Sequence, residues 1–235
     1  MGCAPDNING LSSTGVRIDR VRVVGGSSGI QLNTCPGAHV SNLVAINMRG
    51  PYPRGQCFQC GHSDNVTLED FYCKSDNTSW TEDNLSLWRS SNVTVRRGLI
   101  DGNNSPTGVG VMFEQDDPTK SLGLCEDVDA IRMGDGCFSA YGGRDITFAH
   151  VRCKDNHCDG WSGRAKATSG SLMFYAGDEN GCNSTGIRLE QAVYANACAP
   201  QHVIGSKDPG AWVTKDLTNE PFELRKPVSV SFCWG

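Results

Sequence analysis

The chain has 235 residues, 38% of them hydrophobic, with 28 glycines and a formal net charge of −5. That length supports one substantial core, and the composition suits a turn-rich β protein and argues against disorder. A mildly acidic balance without a basic stripe argues against nucleic acid as a partner, and no apolar run is long enough to span a bilayer, so no membrane partner is expected either.

The opening residues, Met1 to Asn7, carry neither the basic nor the apolar stretch of a secretion signal, which is read as absent or already removed. Residues 1–14 are taken as an N-terminal cap segment. From Ile18 onward, short apolar runs alternate with period two, the mark of strands with one buried face. Aligned on the leading apolar residue, first strands begin at Ile18, Val40, Leu68, Val95 and Phe148. Apolar or small residues recur three places on (Val21, Leu43, Phe71, Gly98, Val151) and five places on (Val23, Ala45, Cys73, Ile100, Cys153). The anchors lie 22, 28, 27 and 53 residues apart, and the last gap, close to twice the others, implies a hidden rung or an inserted loop between Glu114 and Arg144. A further unit runs from Ile187 and Leu189 to Asn196.

Second strands are placed at Ile30/Leu32, Cys57, Leu85/Leu87, Val109/Val111, Ile131/Met133 and Leu172/Phe174. A two-strand unit that recurs about every 27 residues cannot bury its apolar face alone and must stack on copies of itself. The expected architecture is all-β: a right-handed parallel β-helix over 15–196, of about six to eight rungs, with an irregular C-terminal cap over 197–235. That last segment breaks the pattern with Pro200, Pro209, Pro221 and Pro227 before a strand-like run ending at Phe232, and Cys198 and Cys233 are candidates for tying it down. The chain is expected to be monomeric.

Twelve cysteines point to an oxidising compartment, and hence to an extracellular, secreted protein. Cys57, Cys60 and His62 have a zinc-like spacing, yet no second pair completes a tetrahedral set, which favours disulfides. In the register above, Cys35 and Cys60 end second strands on neighbouring rungs, within bridging range of one another, so a Cys35–Cys60 disulfide is expected. Six sequons, at Asn65, Asn77, Asn84, Asn92, Asn103 and Asn183, fit a secreted glycoprotein, although Asn before Val-Thr is equally a turn residue leading into a strand.

The repeated Asn-Val-Thr-Leu at 65–68 and Asn-Val-Thr-Val at 92–95, with Asp83-Asn-Leu-Ser-Leu preceding the second, resemble units of the pectate-lyase-like superfamily of right-handed parallel β-helices, which includes polysaccharide lyases and polygalacturonase-type hydrolases. The resemblance covers about residues 15–196 and implies a carbohydrate-active protein with a polysaccharide substrate. In pectate lyases an aspartate in the position of Asp83 helps to hold calcium. The chain departs from that family at Val95-Arg96-Arg97-Gly98, where a Trp-Ile-Asp-His signature is expected, and it lacks the Arg-x-Pro-x-x-Arg segment. Of the polygalacturonase set it keeps only partial echoes, Gly61-His62-Ser63 and Asp116-Asp117, in the wrong order.

Three second strands are entered through an aspartate, at Asp83, Asp129 and Asp159, where other rungs carry Gly29, Gly55 and Gly108. In that register the carboxylates line one side of the solenoid about 5 Å apart on adjacent rungs, suited to Ca²⁺ or to a carboxylate pair with one raised pKa. Glu82, Asp127 and Asp155 extend the cluster. A turn aspartate capping backbone N–H groups is the structural alternative for each. Arg132, Lys154, His157 and Arg164 fall near the same rungs. For β-elimination on a uronic-acid polymer, His157 or Lys154 is the expected base and Arg132 the enolate stabiliser. Asp83, Asp129 and Asp159 are then the metal or sugar ligands, with Trp161, Trp88 and Arg164 binding substrate. Trp80 and Tyr141 lie beside the same turns. A hydrolase using two of the carboxylates and a non-catalytic polysaccharide-binding or structural β-helix remain the alternatives.

Overall fold

The structure, a computed structural model, describes residues 6–50, 55–76, 81–117, 119–120, 122–156, 172–207 and 210–229. It is nearly all β, a parallel β-solenoid of about six turns. Two parallel sheets run its length. The long-strand sheet stacks Arg17–Val24, His39–Ile46, Thr67–Lys74, Val93–Asp101, Gly123–Ile131, Ile146–Ala149, Ile187–Glu190 and Trp212–Lys215 in order. The short-strand sheet stacks Ile8–Leu11, Ile30–Asn33, Phe58–Gly61, Leu85–Trp88, Val109–Glu114, Gly136–Tyr141 and Phe174–Glu179.

The anchor column is found in register as expected: Ile18, Val40, Leu68, Val95, Cys125, Phe148 and Leu189 are successive ladder partners. Cys125 fills the double gap, so the segment after Glu114 contributes a complete rung, with Gly123–Ile131 as its long strand and Gly136–Tyr141 as its short one. The first and second inward residues of each long strand are three places apart, not two, because the residue at anchor +2 takes a left-handed conformation. Arg20, Asn42, Asp70, Arg97, Asp127, His150, Gln191 and Asp216 all have φ between 50° and 57°. One left-handed residue restores an inward direction after an odd step, and stacking the kink on every rung keeps the ladders parallel on both sides of it. Polar neighbours share these kinks along the stack: Arg97 donates from Nε and Nη2 to the two Asp70 oxygens, each at 2.8 Å.

Inside, every rung adds apolar side chains to one continuous core. Phe58, Phe71, Phe138, Phe148 and Phe174 are fully buried, and Phe138 and Phe174 stack with ring centroids 5.8 Å apart. Gly98 interrupts the apolar column for a steric reason: a Cβ there would lie 2.1 Å from Cζ of Phe71, so the glycine leaves room for the ring of the rung before. The parallel ladders extend beyond 15–196 at both ends. Ile8–Leu11 pairs with Ile30–Asn33, while Ile204–Ser206, Trp212–Lys215 and Thr218–Asn219 continue the stack after residue 196. Residues 221–229 then run back across the outer side of the long-strand sheet. Phe222 lies under the Arg152 guanidinium, Arg225 reaches Asp127 and Asp129, and Lys226 and Val228 lie by Asp70 and Arg97.

Two features of the expected short-strand register are corrected. Phe58, not Cys57, is the partner of Ile30 and Leu85, and the rung expected at Ile131/Met133 is instead centred on Phe138, which pairs with Val111 and Phe174. The expected Cys35–Cys60 disulfide is not formed. Cys60 sits within its strand opposite Leu32, whereas Cys35 lies beyond the end of the preceding strand, and both are free, buried thiols. A disulfide joins Cys137 and Cys153, with Cα atoms 6.0 Å apart, and Cys198 is also disulfide-bonded. Asn84 and Asn103 of the sequons are buried, Asn103 donating to Asn84 Oδ1 at 3.0 Å. Asn65 and Asn92 are exposed left-handed corner residues that bond to each other at 2.7 Å.

Candidate functional site: an acidic groove on the short-strand sheet

Alternation along the short strands sends Ile30, Phe58, Leu85, Val111 and Phe138 inward, which leaves their neighbours to build the outer face. One outer column runs through Gln31, Gln59, Ser86, Met112 and Ser139; the next runs through Asn33, Gly61, Trp88, Glu114 and Tyr141. Over this face lies a groove of about 420 Å³, to which Gln56 and Glu82 add from the turns entering the strands.

Two hydrogen-bond ladders cross the rungs and end on carboxylates. Gln31 Nε2 donates to Gln59 Oε1 at 2.5 Å, Gln59 Nε2 to Ser86 Oγ at 3.3 Å, and Ser86 Oγ to Glu114 Oε2 at 3.4 Å. On the parallel line, Ser28 Oγ donates to Gln56 Oε1 at 3.4 Å and Gln56 Nε2 to Glu82 Oε2 at 3.0 Å. Asp83 lies beneath, 1% exposed. Its Oδ1 accepts the Val109 N–H at 2.8 Å, while its Oδ2 is buried with no hydrogen-bond partner among the described residues.

Three carboxyl groups withdrawn from water and facing one another cannot all ionise at ordinary carboxylate pH. Burial, then the charges of Glu82 and Glu114, push Asp83 well above its usual range. Burial also raises Glu82, against the Asp83 and Gln56 contacts that favour its anion. Burial, with Glu82 and Glu179 adding repulsion, raises Glu114 to about 7. All three carboxyls are therefore held above the ordinary carboxylate range, Asp83 chiefly by its burial, and Glu114 at about 7 both gives and takes a proton near neutral pH.

Trp88 forms the apolar wall beside Glu114. It leans over Gly61, where a Cβ would come within 3.2 Å of Trp88 Cε3, with the edge of His62 and the guanidinium of Arg89 against its ring. One rung past Glu114, Tyr141 packs on Tyr175 with centroids 5.3 Å apart, extending an aromatic border along the same face.

Of the residues expected to form the site, Asp83 and Trp88 are brought together here. Asp129 is not with them. It belongs to the long-strand sheet, fully buried beneath the C-terminal segment, where Arg152 grips both its oxygens at 2.7 and 2.6 Å and the Arg225 N–H adds a bond at 2.7 Å. The shared aspartate face is corrected accordingly, because Asp129 lies in a first strand and not at the entry to a second. Arg132 pairs with Asp101 at a corner of the solenoid, and Lys154 ends a long-sheet strand beside Phe222. His157, Asp159, Trp161 and Arg164 lie outside the described residues. Of the residues expected for Ca²⁺, Asp83 enters a strand of the short-strand sheet and Asp129 lies in the long-strand sheet, and among the described residues no group of three or more His, Cys, Asp or Glu side chains is placed to hold a metal ion. Glu114 was not singled out from sequence. The available signal was its position at the outward end of an alternating run, level with Trp88.

Fold and site together define a β-solenoid with an acidic, aromatic-bordered groove across its rungs. No protein-family model matches the chain, and no curated protein matches it either.

Proposed function

We propose that the protein is carbohydrate-active and that its groove binds a polysaccharide lying across the rungs and cleaves it by acid–base hydrolysis. The observation that carries this reading is the meeting of Glu82, Glu114 and buried Asp83 in an elongated groove walled by Trp88 and lined by Gln31, Gln56 and Gln59. Amide side chains and a flat apolar wall suit sugar hydroxyls and ring faces, and two carboxyl groups in opposite protonation states are what glycoside hydrolysis requires. Protonated Glu114 would deliver its proton to the glycosidic oxygen as the bond breaks. Glu82, held by Gln56, would assist attack at the anomeric carbon as the second carboxyl group, and Asp83 would position the pair from beneath without touching substrate.

The lyase expectation makes a different demand, for cations around a substrate carboxylate. The charged residues that line this groove are Glu82 and Glu114, which favours a neutral or cationic glycan over a uronate polymer, while Arg89 behind Trp88 is paired with Asp116 and Arg132 and Lys154 are engaged elsewhere. Reducing-end release should be measured on neutral glucans, xylans and chitosan beside pectate and alginate, with ultraviolet absorbance reporting any unsaturated uronide. Glu114→Gln and Glu82→Gln should each lower hydrolysis by roughly 10²–10⁴-fold while retaining glycan binding in a gel shift. Hydrolysis indifferent to both substitutions, or an unsaturated product formed equally by both variants, would overturn the assignment; binding without turnover by the wild type would leave a non-catalytic glycan-binding groove in its place.

A further inference from the structure

The solenoid repeats one cysteine geometry at two levels. Phe58, Leu85, Val111 and Phe138 are successive ladder partners, so Cys57 and Cys137, each one residue before, occupy the same column. Cys73, Ile100, Ala130 and Cys153 are likewise successive partners in the long-strand sheet. Cys57 and Cys73 thus stand to each other as Cys137 and Cys153 do, three rungs earlier. They also have the same sequence separation, 16 residues. On the intervening rungs these columns carry Asn84 with Ile100 and Gly110 with Ala130, so no bridge is possible there. Cys57 and Cys73 are both fully buried, and the two thiols are side-chain neighbours across the interior. Of the other described free thiols, Cys60 stacks between Leu32 and Leu87, Cys125 between Val95 and Phe148, and Cys35 and Cys182 lie outside both cysteine columns.

We infer that Cys57 and Cys73 form a second disulfide between the two sheets, equivalent to Cys137–Cys153, when the protein matures in the presence of a low-molecular-weight disulfide. The formed bridge has a Cα spacing of 6.0 Å, and the register of the parallel ladders places Cys57 and Cys73 at the equivalent positions of their rung. In the reaction each thiol gives up its proton and the pair gives up two electrons. The Cys57 Sγ–Cys73 Sγ bond forms as the S–S bond of the oxidant breaks, and the oxidant leaves as two thiols. Burial, with the neighbouring Cys57 thiol adding to it, holds the folded Cys73 thiol well above its ordinary pKa, so exchange takes place while the rungs are still open. The bond has a consequence for the groove. Cys57 follows Gln56, the donor to Glu82, and a covalent tie at Cys57 holds that wall in place.

The test is a connectivity map of protein secreted through an oxidising compartment, or refolded in glutathione redox buffer. The sample is denatured in guanidinium with excess iodoacetamide and no reductant, digested and analysed by mass spectrometry. The expected result is one species linking the Cys57 and Cys73 peptides that separates on reduction, alongside the Cys137–Cys153 species. In Cys73→Ser, Cys57 should become fully alkylated. Alkylation of both Cys57 and Cys73 in the wild type, or linkage of either to another cysteine, overturns the inference.

Discussion

Replacing Glu114 with Gln tests the groove's electrostatics without depending on a known substrate. Folding raises this carboxyl from 4.5 to about 7, through burial first and then the charges of Glu82 and Glu179. A raised acid binds its proton more tightly in the folded state. Its protonated form is carried into the fold at no electrostatic penalty below about pH 4.5, and stability is lost as pH rises from there to about 7. At 1.36 kcal/mol per pKa unit, the loss amounts to about 3 kcal/mol and is complete above neutrality. Glutamine keeps the shape and the contact with Ser86 Oγ but never ionises. The variant should match the wild type near pH 4 and exceed it by about 3 kcal/mol at pH 8, a Tm difference of roughly 6–12 °C for a chain of this size. Urea unfolding at a series of pH values is the assay. Parallel stability–pH curves for the two proteins would show that Glu114 is an ordinary, hydrated carboxylate and would remove the basis for its role as proton donor.

Gly98→Ala should cost about 1–3 kcal/mol by forcing Phe71 aside, and adding Phe71→Leu should restore much of it; equal losses in the single and double variants would contradict the packing account. Asp129→Ala leaves Arg152 and Arg225 facing each other without their shared anion, an expected loss of about 3 kcal/mol, with faster proteolysis of residues 221–229; unchanged cleavage of that segment would argue that Asp129 does not hold it. At low pH, Glu69 is the residue to watch. Burial opposes its charge, yet bonds from Arg96, His39 and Arg97 bring it down to about 2, so the stability it contributes is present above about pH 4.5 and lost as pH falls toward 2. Glu69→Gln should therefore show a shallower acid transition by circular dichroism, and an unchanged transition would refute this.

Much of the fold was legible because it is written in residue type at fixed intervals. Ile18, Val40, Leu68, Val95 and Phe148 are all anchors in the structure, and the double gap before Phe148 does contain a rung. That rung's anchor is Cys125, the one cysteine in an anchor column otherwise made of Ile, Val, Leu and Phe. Without that anchor the strand-like run ending at Ile131 looks like a second strand, which places Asp129 on the wrong sheet. The left-handed kink at anchor +2 was visible only as a three-residue spacing, since Arg, Asn, Asp, His and Gln all occupy it. Cys60 falls inside its strand and not at its end, a shift of a few residues that separates it from Cys35.

What the amino-acid order determined alone is the repeat: alternating apolar residues at intervals of about 27 must stack, because no single unit can bury its own face. What only the tertiary structure decided is which polar residues meet. Glu82 and Glu114 lie 32 positions apart with no local motif linking them, and stacking of the rungs brings both to the same groove over buried Asp83. The reason is that charge coupling depends on distance through the fold and on exclusion of water, and neither is encoded in the spacing of residues along the chain.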